Sequence, residues 1–217
     1  EHLRQAWERT VPVTVTAEAD AGELAALKQQ LATELADGVH LTYLPLFMKL
    51  TQMVLAEFPI LNAELDEEAG QIRLHRSVHL GIALDSPEGL LVPVVRDVQD
   101  KSIAQLAGEL QQLTERGRRR ALTPAELTGS TFTLTNFGAF GTRFATPVLN
   151  HPNVGILGFG ALAERPWVVA GAVQIRPVLP LSLTFDHRVL DGAEASRFLS
   201  GLVALFETPT RALSRLR

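Results

Sequence analysis

The sequence predicts an α/β (α+β) protein in which helices pack on one large mixed sheet. Three observations point there. Short segments of alternating or β-branched apolar residues recur along the 217-residue chain. Three or four long stretches with apolar residues at helical spacing interrupt them. No internal repeat, low-complexity run or Pro/Gly-rich linker divides the chain, so residues 1–217 are expected to form a single domain.

Taken in order, "VPVTVTAEAD" (11–20) alternates as a half-buried strand does. "GELAALKQQLATELA" puts Leu24, Leu27, Leu31 and Leu35 on one helical face. "LTYLPLFMKLTQMVLAEF" predicts a mostly buried helix with Pro45 in its first turn, where proline is tolerated. Its Lys49, Gln52 and Glu57 argue against a membrane span. "FPILNAEL", "GQIRLHR" and "VHLGIALD" predict short strands, and "GLLVPVVRDV" a further β-branched one. "SIAQLAGELQQLTERGRRR" predicts a long amphipathic helix with Ser102 as N-cap. "STFTLTNFG", "NVGILGFGAL" and "LPLSLTFDH" predict three more strands, and "GAEASRFLSGLVALFE" the closing helix.

The formal charge of −4 gives no reason to expect nucleic acid or an anionic membrane as partner. The chain has no cysteine. Disulfides and an acyl-cysteine intermediate are therefore excluded, and any thiol in the chemistry must arrive with a substrate. With no export signal visible either, a cytoplasmic or mitochondrial-matrix setting is expected. The opening "EHLRQAWERT" is already helical in character and lacks a Met, as expected of a piece of a longer chain.

Several patterns invite functional readings. "GFGALA" (158–163) fits G-x-G-x-x-A, but Glu164, Arg165 and Pro166 follow where a dinucleotide site needs a helix. Close packing within a strand is the better reading of its glycines. His75 and His79 are four apart on a segment that reads as strand and turn, so surface imidazoles are expected and no metal. "ERGRRRAL" (115–122) places cations at a helix C-terminus, which they complement; a contact with a phosphorylated cofactor tail or a partner chain is the alternative. No G-x-S-x-G elbow or P-loop occurs.

"LTFDHRVLDGAEAS" (183–196) is different. A strand, His187, a tight turn and Asp191-Gly192 bring an imidazole and a carboxylate to one end of a sheet. Asp191 could cap the final helix, with Glu194 completing a capping box. An imidazole at such a position can take a proton at neutral pH.

"FDHRVLDG" resembles the D-H-R-x-x-D-G signature of the dihydrolipoamide acyltransferases, the catalytic cores of 2-oxo-acid dehydrogenase complexes. "GLLVPVVRDVQDKSIAQLAGEL" and "GSTFTLTNFGAFGTRFATPVLNHPNVGILGFGAL" are similar to two further blocks of that family. The resemblance implies a chloramphenicol-acetyltransferase-like two-layer sandwich working as a trimer. It implies transfer of an acyl group between dihydrolipoamide and coenzyme A, both acting as substrates, with no metal and no covalent acyl-enzyme. His187 would be the general base, Thr135 of a neighbouring subunit the oxyanion donor, and Asp191 a structural residue bonded to an arginine. Implied partners are two further copies, a larger cubic or dodecahedral core, and the decarboxylase and dihydrolipoamide dehydrogenase components. The family's lipoyl and subunit-binding domains are not in this sequence. Val13 stands where the family often has a histidine, and "RALSRLR" is more basic than the family's tail. Acetyl, succinyl and branched-chain enzymes share these motifs. A related acetyltransferase with another acceptor, or a purely assembling scaffold, remain as alternatives.

Overall fold

A computed structural model describes residues 2–35, 38–86 and 89–215. The last two residues of the basic "RALSRLR" tail lie outside them. The helices are α1 (His2–Glu8), α2 (Gly22–Ala32), α3 (Tyr43–Leu55), α4 (Ile103–Arg118) and α5 (Gly192–Glu207). The strands are β1 (Pro12–Asp20), β2 (Ala63–Asp66), β3 (Gln71–Leu74), β4 (Leu80–Ser86), β5 (Gly89–Leu91), β6 (Val94–Val95), β7 (Phe132–Asn136), β8 (Gly155–Phe159), β9 (Ala163–Val169) and β10 (Ala172–Asp186).

Eight strands form one sheet in the order β1-β10-β8-β7-β4-β5, with β6 on β4 and β9 on β10. β2 and β3 make a separate hairpin. The pairs β4–β7 and β7–β8 are parallel, and the others are antiparallel. Of the parallel strands, β8 (GILGF) is an unbroken apolar run, as a strand buried on both faces tends to be, whereas β7 (FTLTN) alternates apolar residues with threonines. β8 is buried along its whole length.

α3 supplies the centre of the helical layer: Leu46, Phe47, Met48, Leu50, Val54 and Leu55 are all buried. The Phe47 ring stacks on Phe159 of β8 with centroids 4.3 Å apart and meets Phe206 of α5 at 5.5 Å. These three rings tie sheet to helices. α4 begins as the sequence predicts: Ser102 accepts from the Gln105 N–H and Gln105 returns the bond, closing a capping box. Among the described residues no helix is long and apolar enough to cross a membrane.

Four details differ from the sequence reading. "FPIL" forms a short 3-10 turn, Pro59–Leu61, before β2. "GLLVPVVRDV" breaks into β5 and β6, because Pro93 has no N–H to give a ladder. Leu35 lies past the end of α2. Finally, β10 reaches back to Ala172, well before the expected start at Leu179. Its first half pairs with β9, a strand absent from the sequence reading, with Val169 opposite Ala172. The connecting turn is Ala170-Gly171, both with positive φ (50° and 82°), which suits a tight hairpin loop.

Candidate active site

The C-terminal end of β10 is fixed from several directions. Phe185 and Asp186 are buried, while His187 is exposed. Asp186 Oδ1 accepts from the Val11 N–H (3.2 Å), the Arg188 N–H (3.1 Å) and Arg188 Nε (3.0 Å). Its Oδ2 accepts from Arg188 Nη2 at 2.7 Å. Arg188 also donates to Glu67 Oε1 at 2.5 Å, in the β2–β3 turn, and to the Arg9 carbonyl. Charged, forked bonds of this kind are among the stronger ones. Burial pushes the Asp186 carboxyl up, but Arg188 and the backbone N–H groups of Arg188 and Val11 outweigh it and leave the pKa below the usual value.

His187 sits between these anchors. Its backbone N–H donates to the Val11 carbonyl at 2.9 Å, and its ring lies 5.9 Å from that of Phe185. The backbone is held on both sides while the imidazole faces outward. Asp191 ends the turn as N-cap of α5, accepting from the Ala193 and Glu194 N–H groups at 2.9 Å each. Those N–H groups, Glu194's first, hold its carboxyl below the ordinary range. Two expectations change here. The arginine-bound carboxylate is Asp186, because Arg188 turns back across the end of β10 toward Glu67 and Arg9. Asp191 spends its oxygen on the helix start, and α5 has this cap without the reciprocal Glu194 bond of a capping box.

Thr135 is half-buried near the end of β7, opposite Ala83 and Gly158. The start of β7 is anchored through Asn153, whose Oδ1 accepts from the Thr133 hydroxyl at 2.7 Å and whose Nδ2 donates to the Ser130 carbonyl at 2.6 Å. A cavity of about 690 Å³ opens beside Thr135, lined by its neighbours Ala83 and Asn136 with Leu44, Leu84, Phe140 and Arg118.

The register sets the distance between the two candidate catalytic groups. Thr135 is level with Gly158, and Gly158 with Ser182. His187 lies five residues beyond Ser182, at the other end of the sheet. At about 3.3 Å per residue and about 4.8 Å per strand, the two are about 19 Å apart within one chain. One chain therefore does not bring them together.

The other patterns resolve into structure. Gly158 and Gly160 mark close packing: a Cβ on the first would lie 2.4 Å from the Phe137 ring, and on the second 2.0 Å from the Arg143 carbonyl oxygen. No helix follows them, so the dinucleotide pattern is not a dinucleotide fold. His75 and His79 lie in the connection between β3 and β4, beside a cavity of about 380 Å³. His79 is more than a surface imidazole, since its Nδ1 accepts from the Asp97 N–H at 3.0 Å and burial lowers its pKa. Among the described residues no three metal-ligating side chains come together. In the basic cluster, Arg116 grips both oxygens of Glu126 (2.6 and 2.7 Å) and holds that carboxyl at about 2.

Sequence reasoning missed the part played by Asp186 and Arg188. The signal was available: an Asp directly after a buried Phe at a strand end needs a partner, and the next cation is two residues on.

The profile of the 2-oxoacid dehydrogenases acyltransferase (catalytic domain) family matches residues 1–214. The chain belongs to this family. It is 40% identical over 204 residues to the dihydrolipoyllysine-residue acetyltransferase component of the pyruvate dehydrogenase complex of Bacillus subtilis, covering 93% of this chain and 46% of that protein. It is 39% identical over 210 residues to the lipoamide acyltransferase component of the branched-chain alpha-keto acid dehydrogenase complex of Pseudomonas putida, covering 96% and 50%. The chain thus spans about half the length of these curated relatives. The dihydrolipoamide acetyltransferase of Azotobacter vinelandii superposes with a TM-score of 0.93 at 38% identity, covering 98% of this chain and 88% of that one. A serine, a histidine and an asparagine were investigated for their role in that enzyme's catalytic mechanism. They stand 52 and four residues apart, the intervals that separate Thr135, His187 and Asp191. Chloramphenicol acetyltransferase shares the fold, with a TM-score of 0.57 at 12% identity. The acyltransferase sandwich read from the sequence is the observed architecture.

Proposed function

We propose that this acyltransferase domain moves an acyl group between dihydrolipoamide and coenzyme A in a 2-oxo-acid dehydrogenase complex. The observation that carries the reading is the turn at the end of β10, held rigidly by Asp186 and Arg188 while the His187 imidazole stays exposed. His187 takes the proton from the attacking thiol. A free thiol is only a few per cent ionised at neutral pH, so a positioned base raises the supply of nucleophile. The thiolate adds to the thioester carbonyl. The tetrahedral oxyanion accepts a hydrogen bond from the Thr135 hydroxyl. Collapse expels the second thiolate, which recovers the proton from the imidazolium.

The separation of about 19 Å within one chain supports a site shared between copies, with His187 of one chain meeting Thr135 of the next. A closed ring of three copies satisfies every such contact. Asp191 acts by capping α5 and so setting the turn. The asparagine at the corresponding interval in the Azotobacter enzyme supports this, since Asn and Asp cap helices about equally well. The cavity beside Thr135, mostly apolar with Arg118 in its lining, suits the arm of an acyl thioester. Assembly of the trimers into a larger core with decarboxylase and dehydrogenase partners accords with the solved cubic core of a pyruvate dehydrogenase complex, which this chain matches with a TM-score of 0.93. A reducing compartment, cytoplasm or mitochondrial matrix, keeps dihydrolipoamide in its dithiol form.

The test is His187→Ala, assayed with dihydrolipoamide and a panel of acyl-coenzyme A donors. Turnover should fall nearly to background for every donor while the assembly stays intact. Normal turnover would overturn the assignment.

A further inference from the structure

His79 takes no part in the chemistry described above, yet it joins three parts of the sheet. Its Nδ1 accepts from the Asp97 N–H at 3.0 Å. A ring nitrogen that accepts is unprotonated, so this bond exists only with the neutral imidazole, which carries its proton on Nε2. The backbone of His79 is fixed separately. Its N–H donates to the Thr131 hydroxyl at 3.0 Å, and its carbonyl accepts from the Thr131 N–H at 2.8 Å. His79 leads into β4, and Thr131 leads into β7, four residues before Thr135.

Asp97 stands in the turn after β6 with a left-handed backbone, φ 48° and ψ 49°. That conformation is unfavourable for a residue with a Cβ, so the turn needs holding from outside. The Val98 N–H donates to the Val78 carbonyl at 3.0 Å, and Lys49 of α3 donates to the Val98 and Gln99 carbonyls. The Asp97 N–H is held by the imidazole. Oδ1 of the Asp97 carboxylate lies 3.7 Å from the same Nδ1, just beyond hydrogen-bond distance. Around the ring also stand Arg96 beside Asp97, His75 and Glu64 on the side of the β2–β3 hairpin, and His151 before β8. Burial, the largest influence, disfavours a charge on the ring, as do Arg96 and His75, while Asp97 favours one.

We propose that His79 is an acid-released latch between the start of β4 and the turn at Asp97. Neutral, the imidazole holds the turn by its backbone. A proton added from solvent to Nδ1 removes the accepting lone pair and sets two N–H groups face to face. The new N–H bonds the Asp97 carboxylate instead, so the contact passes from backbone to side chain and the left-handed turn is released. The entries of β4 and β7 loosen together, because His79 and Thr131 share their backbone bonds. The sign follows from the lowered pKa: the latch is closed above the unfolded histidine value, about 6.5, and opens as pH falls below it toward the folded value. It does not depend on the acyl-transfer reading of His187 and Thr135.

The test is hydrogen exchange of the intact chain read by mass spectrometry over residues 95–101, with His79→Asn as the comparison. Asparagine offers an oxygen acceptor in place of Nδ1 and does not titrate. In the wild type, opening of this segment, corrected for the intrinsic pH dependence of exchange, should rise by up to about tenfold for each pH unit below about 6.5. In His79→Asn it should stay flat. An equal rise in both proteins, or no rise in the wild type between about pH 7.5 and about pH 5, overturns the inference. If His79→Asn does not fold, Asp97→Asn decides, since asparagine also tolerates a left-handed backbone. It removes the carboxylate that favours the charged ring, so the midpoint of the rise should move to lower pH. A midpoint unchanged or moved upward overturns the inference.

Discussion

Replacing Arg188 with alanine tests whether the clamp at the end of β10 is what holds the site. The substitution removes the Nε and Nη2 bonds to Asp186, the pair to Glu67 and the bond to the Arg9 carbonyl. Breaking a buried ion pair from one side costs about 3–5 kcal/mol. Here Oδ1 keeps the Val11 and Arg188 backbone N–H groups, and Arg188 is partly exposed, so about 2–3 kcal/mol is expected, in the range for bonds to charged groups. For a chain of this size that corresponds to a melting point lower by about 4–12 °C. The effect depends on pH with a defined sign. The folded pKa of Asp186 is depressed. Its pairing therefore stabilises the fold above the unfolded value, about 3.9, and is lost as pH falls through the folded pKa. In Arg188→Ala the carboxyl keeps its burial penalty without its cation, and protonation relieves it. The gap between variant and wild type is thus widest at pH 7 and narrows toward about pH 4. Melting followed by circular dichroism at fixed protein concentration measures both quantities. A gap below about 1 °C at pH 7, or one that does not change with pH, refutes the reasoning.

Thr135→Ala should lower turnover by roughly a hundredfold or more with little change in substrate binding, and Thr135→Ser should restore most of it; steady-state kinetics separate the two effects. Gly160→Ala sets a Cβ 2.0 Å from a backbone oxygen, and denaturant titration should show a loss of about 1–3 kcal/mol. Asp191→Ala removes the α5 cap and should lower the midpoint of the same titration, whereas Asp191→Asn should stay close to wild type.

The elements with a strong local signal are legible in the sequence. α4 begins where Ser102 and Gln105 say it must, and α3 follows its apolar spacing from Tyr43 to Leu55. β7 matches its alternating segment and β8 its apolar run. The β9–β10 ribbon is hidden because its turn, Ala170-Gly171, is a less usual pair than Asn-Gly, and Pro166 and Pro177 interrupt the alternation. His187 and Thr135 stand out through motif resemblance. Their distance from each other follows from strand register, which depends on pairings between residues far apart in the chain. The same reason hides the Asp186–Arg188 clamp: its remaining contacts come from Val11, Arg9 and Glu67, and no local window contains them.

The pairing of β1 with β10 also shapes how the chain is made. Pro12 lies opposite Asp186, so the first strand finds its neighbour only when nearly all the polypeptide exists. β10 then enters between β1 and β8, late in synthesis and at an interior position next to the edge strand. Until that moment β1 waits with both ladders open, in the kind of non-local topology that folds slowly and leaves nascent chains in need of chaperones.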